Sequence, residues 1–276
     1  MKALILTIIT LALSSCSMRQ TVLNRLDWFA LMQIEDRFDL EDVQSATIEP
    51  ELAKVKQQIK ENYGPRLAAA LQRLAEDNKD KLDKEELESF LSKIYLIRKD
   101  LLLANSETVA KFLATLTPEQ IQHYEEEVKE NDEDLVELIE SEDFESAKED
   151  YLEERVELLE NWYGELNKMQ IEIVERYTLP SRKTMKEMYD NRLKKRETFN
   201  KFLKEADQEG FKNYFVNWAN DRTMRAKLAG VKDRNWHQWT LDYFLALDGS
   251  LSSEQRLHLN QELLKLANDL TYFNRS

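Results

Sequence analysis

Apolar residues recur at three- and four-residue steps along most of this chain, with charged residues filling the positions between them. Such spacing lays one apolar stripe along each of a series of amphipathic helices. The clearest stripe is Phe144, Ala147, Tyr151, Leu158, Trp162, Leu166, Met169, Ile173 and Tyr177, which predicts a helix over 143–177. Further helices are predicted over 18–37, 50–62, 65–77, 83–104, 107–115, 118–140, 181–207, 210–229, 233–247 and 252–273. Pro50, the Gly64-Pro65 pair, Pro118, Pro180, Gly210, Gly230 and Gly249 all fall at breaks in the pattern, and only Gly164 lies inside it. No alternating strand pattern of useful length occurs. The expected fold class is therefore all-α, a multi-helix bundle of amphipathic helices. One long central helical hairpin, about 143–207, should turn at Thr178-Leu179-Pro180-Ser181.

The amino terminus departs from this pattern. Met1 and Lys2 precede an uncharged run of eleven residues, Ala3 to Leu13. A helix that spans a bilayer needs ~20 apolar residues, so the run has the length of a signal-peptide core. Leu13-Ser14-Ser15-Cys16 follows it and resembles a lipobox. The resemblance implies a bacterial lipoprotein, cleaved before Cys16 and carrying acyl chains such as palmitate on that residue. One acyl chain holds a protein only marginally, whereas the two or three of a mature lipoprotein anchor it stably. Ser17, where Asp would retain such a protein at the inner membrane, implies sorting to the outer membrane with the domain facing the periplasm. The expected organisation is a signal peptide over 1–15, a lipidated tether over 16–20 and a single helical domain over 21–276.

Composition agrees with a helical reading: five glycines and four prolines in 276 residues leave few turn formers. Cys16 is the only cysteine, so its acylation would leave no thiol for a disulfide, a metal site or a nucleophile. Charge is unevenly spread. Residues 119–160 hold nineteen acids against three bases, while 181–204 hold nine bases against three acids. The hairpin should lay part of the basic helix against part of the acidic one; both runs read either as solvated helix faces or as an acidic surface that recruits cationic partners or divalent ions. A formal net charge of −14 argues against nucleic acid as a partner.

Few residues suggest chemistry. His123, His237 and His258 lack a second ligand at helical spacing and read as surface or rim residues. Asp77 to Glu88 has the flavour of a calcium loop, but Lys79 and Lys81 stand at ligand positions and Leu82 replaces the turn glycine. No nucleophile elbow, phosphate loop or dinucleotide fingerprint occurs, so no catalytic residue, metal or cofactor is expected and the chain does not read as an enzyme.

Two short segments stand out. Leu116-Thr117-Pro118-Glu119-Gln120 and Leu251-Ser252-Ser253-Glu254-Gln255 both precede predicted helices. Each reads as a capping box: the Thr117 or Ser252 hydroxyl accepts the N–H three residues on, and Gln120 or Gln255 accepts the cap's own N–H. Pro118 sits at the first helical position, where its missing N–H costs nothing. Leu82-Asp83-Lys84-Glu85-Glu86 follows the same logic. The first two segments also resemble the LTxxQ repeats of the Spy and CpxP family, helical periplasmic proteins that chaperone clients or restrain envelope-stress signalling. There, paired motifs mark helix starts in a cradle-shaped dimer. Those proteins are shorter and soluble, and their cradle is basic where this chain is acidic.

A second resemblance runs from Cys16 to near the carboxyl end. Asn24-Arg25-Leu26-Asp27-Trp28, Phe38-Asp39-Leu40-Glu41-Asp42-Val43-Gln44 and Gly249-Ser250-Leu251-Ser252-Ser253-Glu254-Gln255-Arg256 occur in the order of an uncharacterised family of helical proteobacterial lipoproteins. It implies localisation and fold but no activity. Two functions are compatible with these features. One is a lipid-anchored module that binds envelope proteins, such as a Spy-like holdase, using apolar faces like that of Trp236, Trp239 and Phe244. The other is a structural or assembly accessory with one fixed partner.

Overall fold

The computed structural model describes residues 16–179, 181–220 and 236–275; Pro180, Gly230, the signal segment and the ends of the two helices expected around 221–235 lie outside them. Every regular element among the described residues is helical. In chain order these are α1 (Cys16–Asn24), α2 (Leu26–Phe38), α3 (Asp42–Gln58), a π turn (Ile59–Tyr63), α4 (Gly64–Asp77), α5 (Lys84–Leu113), α6 (Pro118–Glu130) and α7 (Glu133–Glu140). They continue with α8 (Phe144–Tyr163), α9 (Lys168–Thr178), α10 (Arg182–Glu205), α11 (Gln208–Asn220), α12 (Trp236–Asp248) and α13 (Ser253–Arg275). The all-α multi-helix bundle is thus the observed architecture.

Several boundaries differ from the periodicity. Pro50 lies inside α3 rather than at its start, because the Glu41 N–H donates to Gln44 Oε1 at 3.0 Å and begins the helix eight residues earlier. The helices expected at 83–104 and 107–115 are one, and that expected at 118–140 breaks at Asn131-Asp132. The most consequential break is at Gly164, with φ 73° and ψ −172°, a region essentially reserved for glycine. It divides the helix expected over 143–177 into α8 and α9 and resets the helical phase. Leu166 is buried as the stripe requires, but Met169 is 55% exposed while Gln170 is fully buried. Residues 16–20, expected as a tether, are the first turns of α1, and Arg19 is packed inside the domain.

Among the described residues, three apolar clusters hold the helices. The largest joins α1, α4, α8, α9, α12 and α13 through Leu23, Leu71, Tyr163, Val174, Leu247 and Leu263. A second joins α2, α5, α6, α10 and α11 through Phe38, Ala110, Ile121, Leu203 and Phe211. The third, around Leu138, Phe144 and Met185, ties α7 to the starts of α8 and α10. The hairpin expected over 143–207 does not form as one long pair: α8 and α9 fold on each other at Gly164, and α10 packs on α6, α7 and α11, its start meeting that of α8 with the Arg182 guanidinium 4.8 Å from the Phe144 ring. Along its length, α10 turns its cations to α6 and the turn after it. Lys204 reaches Glu125 at 2.7 Å, and Arg192 and Arg196 both bond the buried carboxylate of Asp132.

Candidate functional site

The Leu-Thr/Ser-x-Glu-Gln segments are two of four equivalent helix starts. At the second, Thr117 Oγ1 accepts the Gln120 N–H at 3.3 Å, and Gln120 Oε1 accepts the Thr117 N–H at 3.0 Å. At the fourth, Ser252 and Gln255 make the same two bonds at 3.1 and 3.0 Å. Leu116 is buried with Ile121 in the second cluster, and Leu251 packs against the first. Asp83 and Glu86 form the third expected box, starting α5. The two starts that sequence reading missed are Leu40-Glu41-Asp42-Val43-Gln44 and Leu166-Asn167-Lys168-Met169-Gln170. In the latter, Asn167 Oδ1 accepts the Gln170 N–H at 3.1 Å and Gln170 Oε1 accepts the Asn167 N–H at 2.9 Å.

These four corners meet in pairs through their glutamines. Gln44 Nε2 donates to Gln120 Oε1 at 2.9 Å, and Gln120 Nε2 donates back to Gln44 Oε1 at 2.5 Å. Gln170 and Gln255 form the same reciprocal amide pair at 2.8 and 2.9 Å. The second N–H of each amide goes to the carbonyl two residues before its partner's cap. Gln120 donates to Asp39 O, Gln44 to Thr115 O, Gln170 to Ser250 O and Gln255 to Glu165 O. Both donors and both acceptor positions of every glutamine are therefore used. Two histidines repeat as well. His123 and His258, each three residues after its glutamine, donate from Nε2 to Asp36 O at 2.9 Å and Asn161 O at 3.4 Å, in the last turns of α2 and α8. The His237 side chain lies outside the described residues.

The helices around each pair correspond. α2 packs on α6 as α8 packs on α13, and α3 meets α5 as α9 meets α12. Among the described residues one helical plan thus occurs twice, in α2–α6 and in α8–α13, and the halves interlock: α4 lies along α13, and α11 along α5. At the α4–α13 crossing a Cβ on Gly64 would stand 2.6 Å from Asn274 Oδ1 and 3.0 Å from Ile59 O, so any larger residue there would have to displace the Asn274 side chain.

Charge and apolar surface complete the candidate site. Most acids of the 119–160 window, including Glu133, Asp134, Glu137, Glu149, Asp150 and Glu153, are exposed on α7 and α8. The expected apolar face at Trp239 and Phe244 is not free. Trp239 stacks with Tyr243 and meets Tyr177, and Phe244 packs against the first cluster; the Trp236 side chain lies outside the described residues. Burial pushes the Tyr243 phenol up to about 12 and the enclosed Tyr163 higher still. No group of three or more His, Cys, Asp or Glu arranged to hold a metal occurs among the described residues, and none of their helices is long and apolar enough to cross a membrane. No protein family, curated protein or solved structure matches this chain.

Proposed function

We propose that this chain is a lipid-anchored, periplasm-facing protein-binding module of the outer membrane, a Spy-like holdase acylated on Cys16 and without catalysis. The observation that carries the reading is the paired Leu-x-x-x-Gln corners. Two of the four corners are the LTxxQ-like segments, and each starts a helix, as the resemblance implies. The exposed acids of α7 and α8 give the module long-range attraction for cationic segments of unfolded envelope proteins, an attraction that weakens past about 0.15 M salt, where the Debye length is ~8 Å.

Two measurements test this. Intact-mass analysis of membrane-extracted protein should find residues 1–15 removed and Cys16 acylated; an unmodified Cys16 ends the lipid-anchor half. Light scattering of a reduced, aggregating client should fall on adding the domain, and the effect should shrink with salt or with neutralised acids over 125–140. No suppression removes the holdase. A fixed-partner assembly accessory is the second reading, favoured by the packing of Trp239 and Phe244 into the core, which takes an apolar face away from a broad client range. Crosslinking in intact cells separates the two: one dominant partner supports the accessory, and many unrelated ones support the holdase.

A further inference from the structure

The anchor-bearing end of the chain is built into the domain. α1 is helical from Cys16, and Arg19, only 5% exposed, places its guanidinium 3.0 Å from Glu262 and 3.7 Å from Asp269 of α13. Leu23 is buried, and Val22 and Leu26 pack beside it. Only Arg25 interrupts the helix, and the turn continues across it, with Arg25 N–H to Thr21 O at 3.2 Å and Phe29 N–H to Arg25 O at 2.9 Å. The chain from Cys16 to Phe38 is thus a nearly continuous rod with no slack at its acylated end. At a rise of ~1.5 Å per residue, Trp28 stands about 18 Å and Met32 about 24 Å along it. Thr21, Arg25, Trp28 and Met32 are exposed at helical steps along it, Trp28 by 51% and Met32 by 39%, with Asn24 and Gln33 exposed beside them and Asp36 exposed one turn further on. The one acid between 16 and 34, Asp27, turns inward onto Lys56 Nζ at 2.7 Å. In a protein of net charge −14, the stripe from Thr21 to Met32 carries no negative side chain, and Asp36 marks its end.

We propose that the rod formed by α1 and α2 lies on the bilayer, with the Thr21, Arg25, Trp28 and Met32 stripe seated in the lipid headgroups and the acidic α7–α8 face turned away from the membrane. The proposal rests on acylation of Cys16. Tryptophan favours the headgroup zone, arginine is drawn to anionic lipid, and an acidic surface is repelled by it. With its chains in the bilayer and Arg19 pinned to α13, the domain has a fixed orientation where a flexible tether would let it tumble.

Because acylation consumes the only native thiol, a cysteine introduced elsewhere is unique in the mature protein. Thr21→Cys, Met32→Cys and Glu137→Cys variants of the full acylated protein would each be labelled with bimane. They would be placed in phosphatidylethanolamine–phosphatidylglycerol vesicles that contain a headgroup spin-labelled lipid. Quenching at 21 and 32 should exceed that at 137 several-fold, and Trp28→Glu should lower it at 32. Equal quenching at all three sites means tumbling and overturns the proposal; quenching at 21 alone means the rod stands off the membrane, which also overturns it. An unchanged signal at 32 in the Trp28→Glu variant removes Trp28 as the seat. Intact mass of the same samples reports acylation independently, so a failed anchor is distinguished from a failed seat.

Discussion

Gln170 is fully buried, accepts the Asn167 N–H, and donates to Ser250 O and Gln255 Oε1. Its removal strands partners in the interior, where an unsatisfied group costs about 1–3 kcal/mol. Gln170→Ala should therefore destabilise the domain of residues 17–276 by about that much in denaturant melts. Thr117→Ala and Ser252→Ala lose a cap and should each cost about 0.5–2 kcal/mol. A Gln170→Ala variant no weaker than wild type would contradict the amide pairing. The Gln170–Gln255 coupling should also appear in a double-mutant cycle, because each single change breaks the bond they share. At this scale the sequence was half legible. Thr117 and Ser252 are strong caps with Glu-Gln behind them, so their corners stand out. The corners at Glu41 and Asn167 share with them only a leucine and a glutamine, a pattern any helical chain carries by chance, and their meaning lies in the pairing across 76 and 85 residues.

Among elements, periodicity located most of the helices, including the end of α10 at Ala206, but missed the break at Gly164, where backbone conformation overrides it. Gly164 lies in an otherwise apolar stripe, and only its positive φ ends α8 and lets α9 restart with Gln170 inward. Gly164→Ala meets no closer atom than His258 Cγ at 4.0 Å, so its cost is conformational, about 1–3 kcal/mol. Ala206 closes α10 in the left-handed region at φ 48°, where a Cβ costs about 1–2 kcal/mol, so Ala206→Gly should raise stability. Opposite shifts of the two midpoints are the expected result. The α1–α13 contact predicts a pH effect of either sign. Burial opposes ionisation of Glu262, but Lys265 and Arg19 hold its carboxyl below the usual range. Burial pushes Asp269 up despite Arg19. The lowered Glu262 contributes stability that is present at neutral pH and lost as pH falls through its folded value, so Glu262→Gln should weaken the domain at pH 7 and not in acid. The raised Asp269 costs stability once pH passes the ordinary aspartate range, so Asp269→Asn should be neutral or stabilising at pH 7. Melting temperatures of the two variants across pH 3–7 check both signs.

For the molecule as a whole, composition made the helical class legible, but the twofold plan was not, because the halves share almost no residues beyond their corners. What makes one body of them is the exchange of helices: α4 of the first half covers α13 of the second, α11 of the second covers α5 of the first, and α10 reaches α6. The largest cluster takes Leu71 and Leu74 from the first half and Leu259, Leu263 and Ala267 from the second, so each half alone would expose an apolar face that the other now buries. Two consequences follow for the domain of residues 17–276. Each half already has its complement in the same chain, so sedimentation should find a monomer across the micromolar range. Separate chains of residues 17–141 and 142–276, divided at the exposed turn before α8, should recover helicity and a cooperative melt only when mixed. A half that folds cooperatively by itself, or an intact domain that dimerises, would mean that the interlock is not what completes the core. The cut leaves both glutamine pairs intact within their own halves, so the outcome measures the packing between the halves, chiefly α4–α13 and α5–α11 with α1–α13, α6–α10 and the third cluster, separately from the corners.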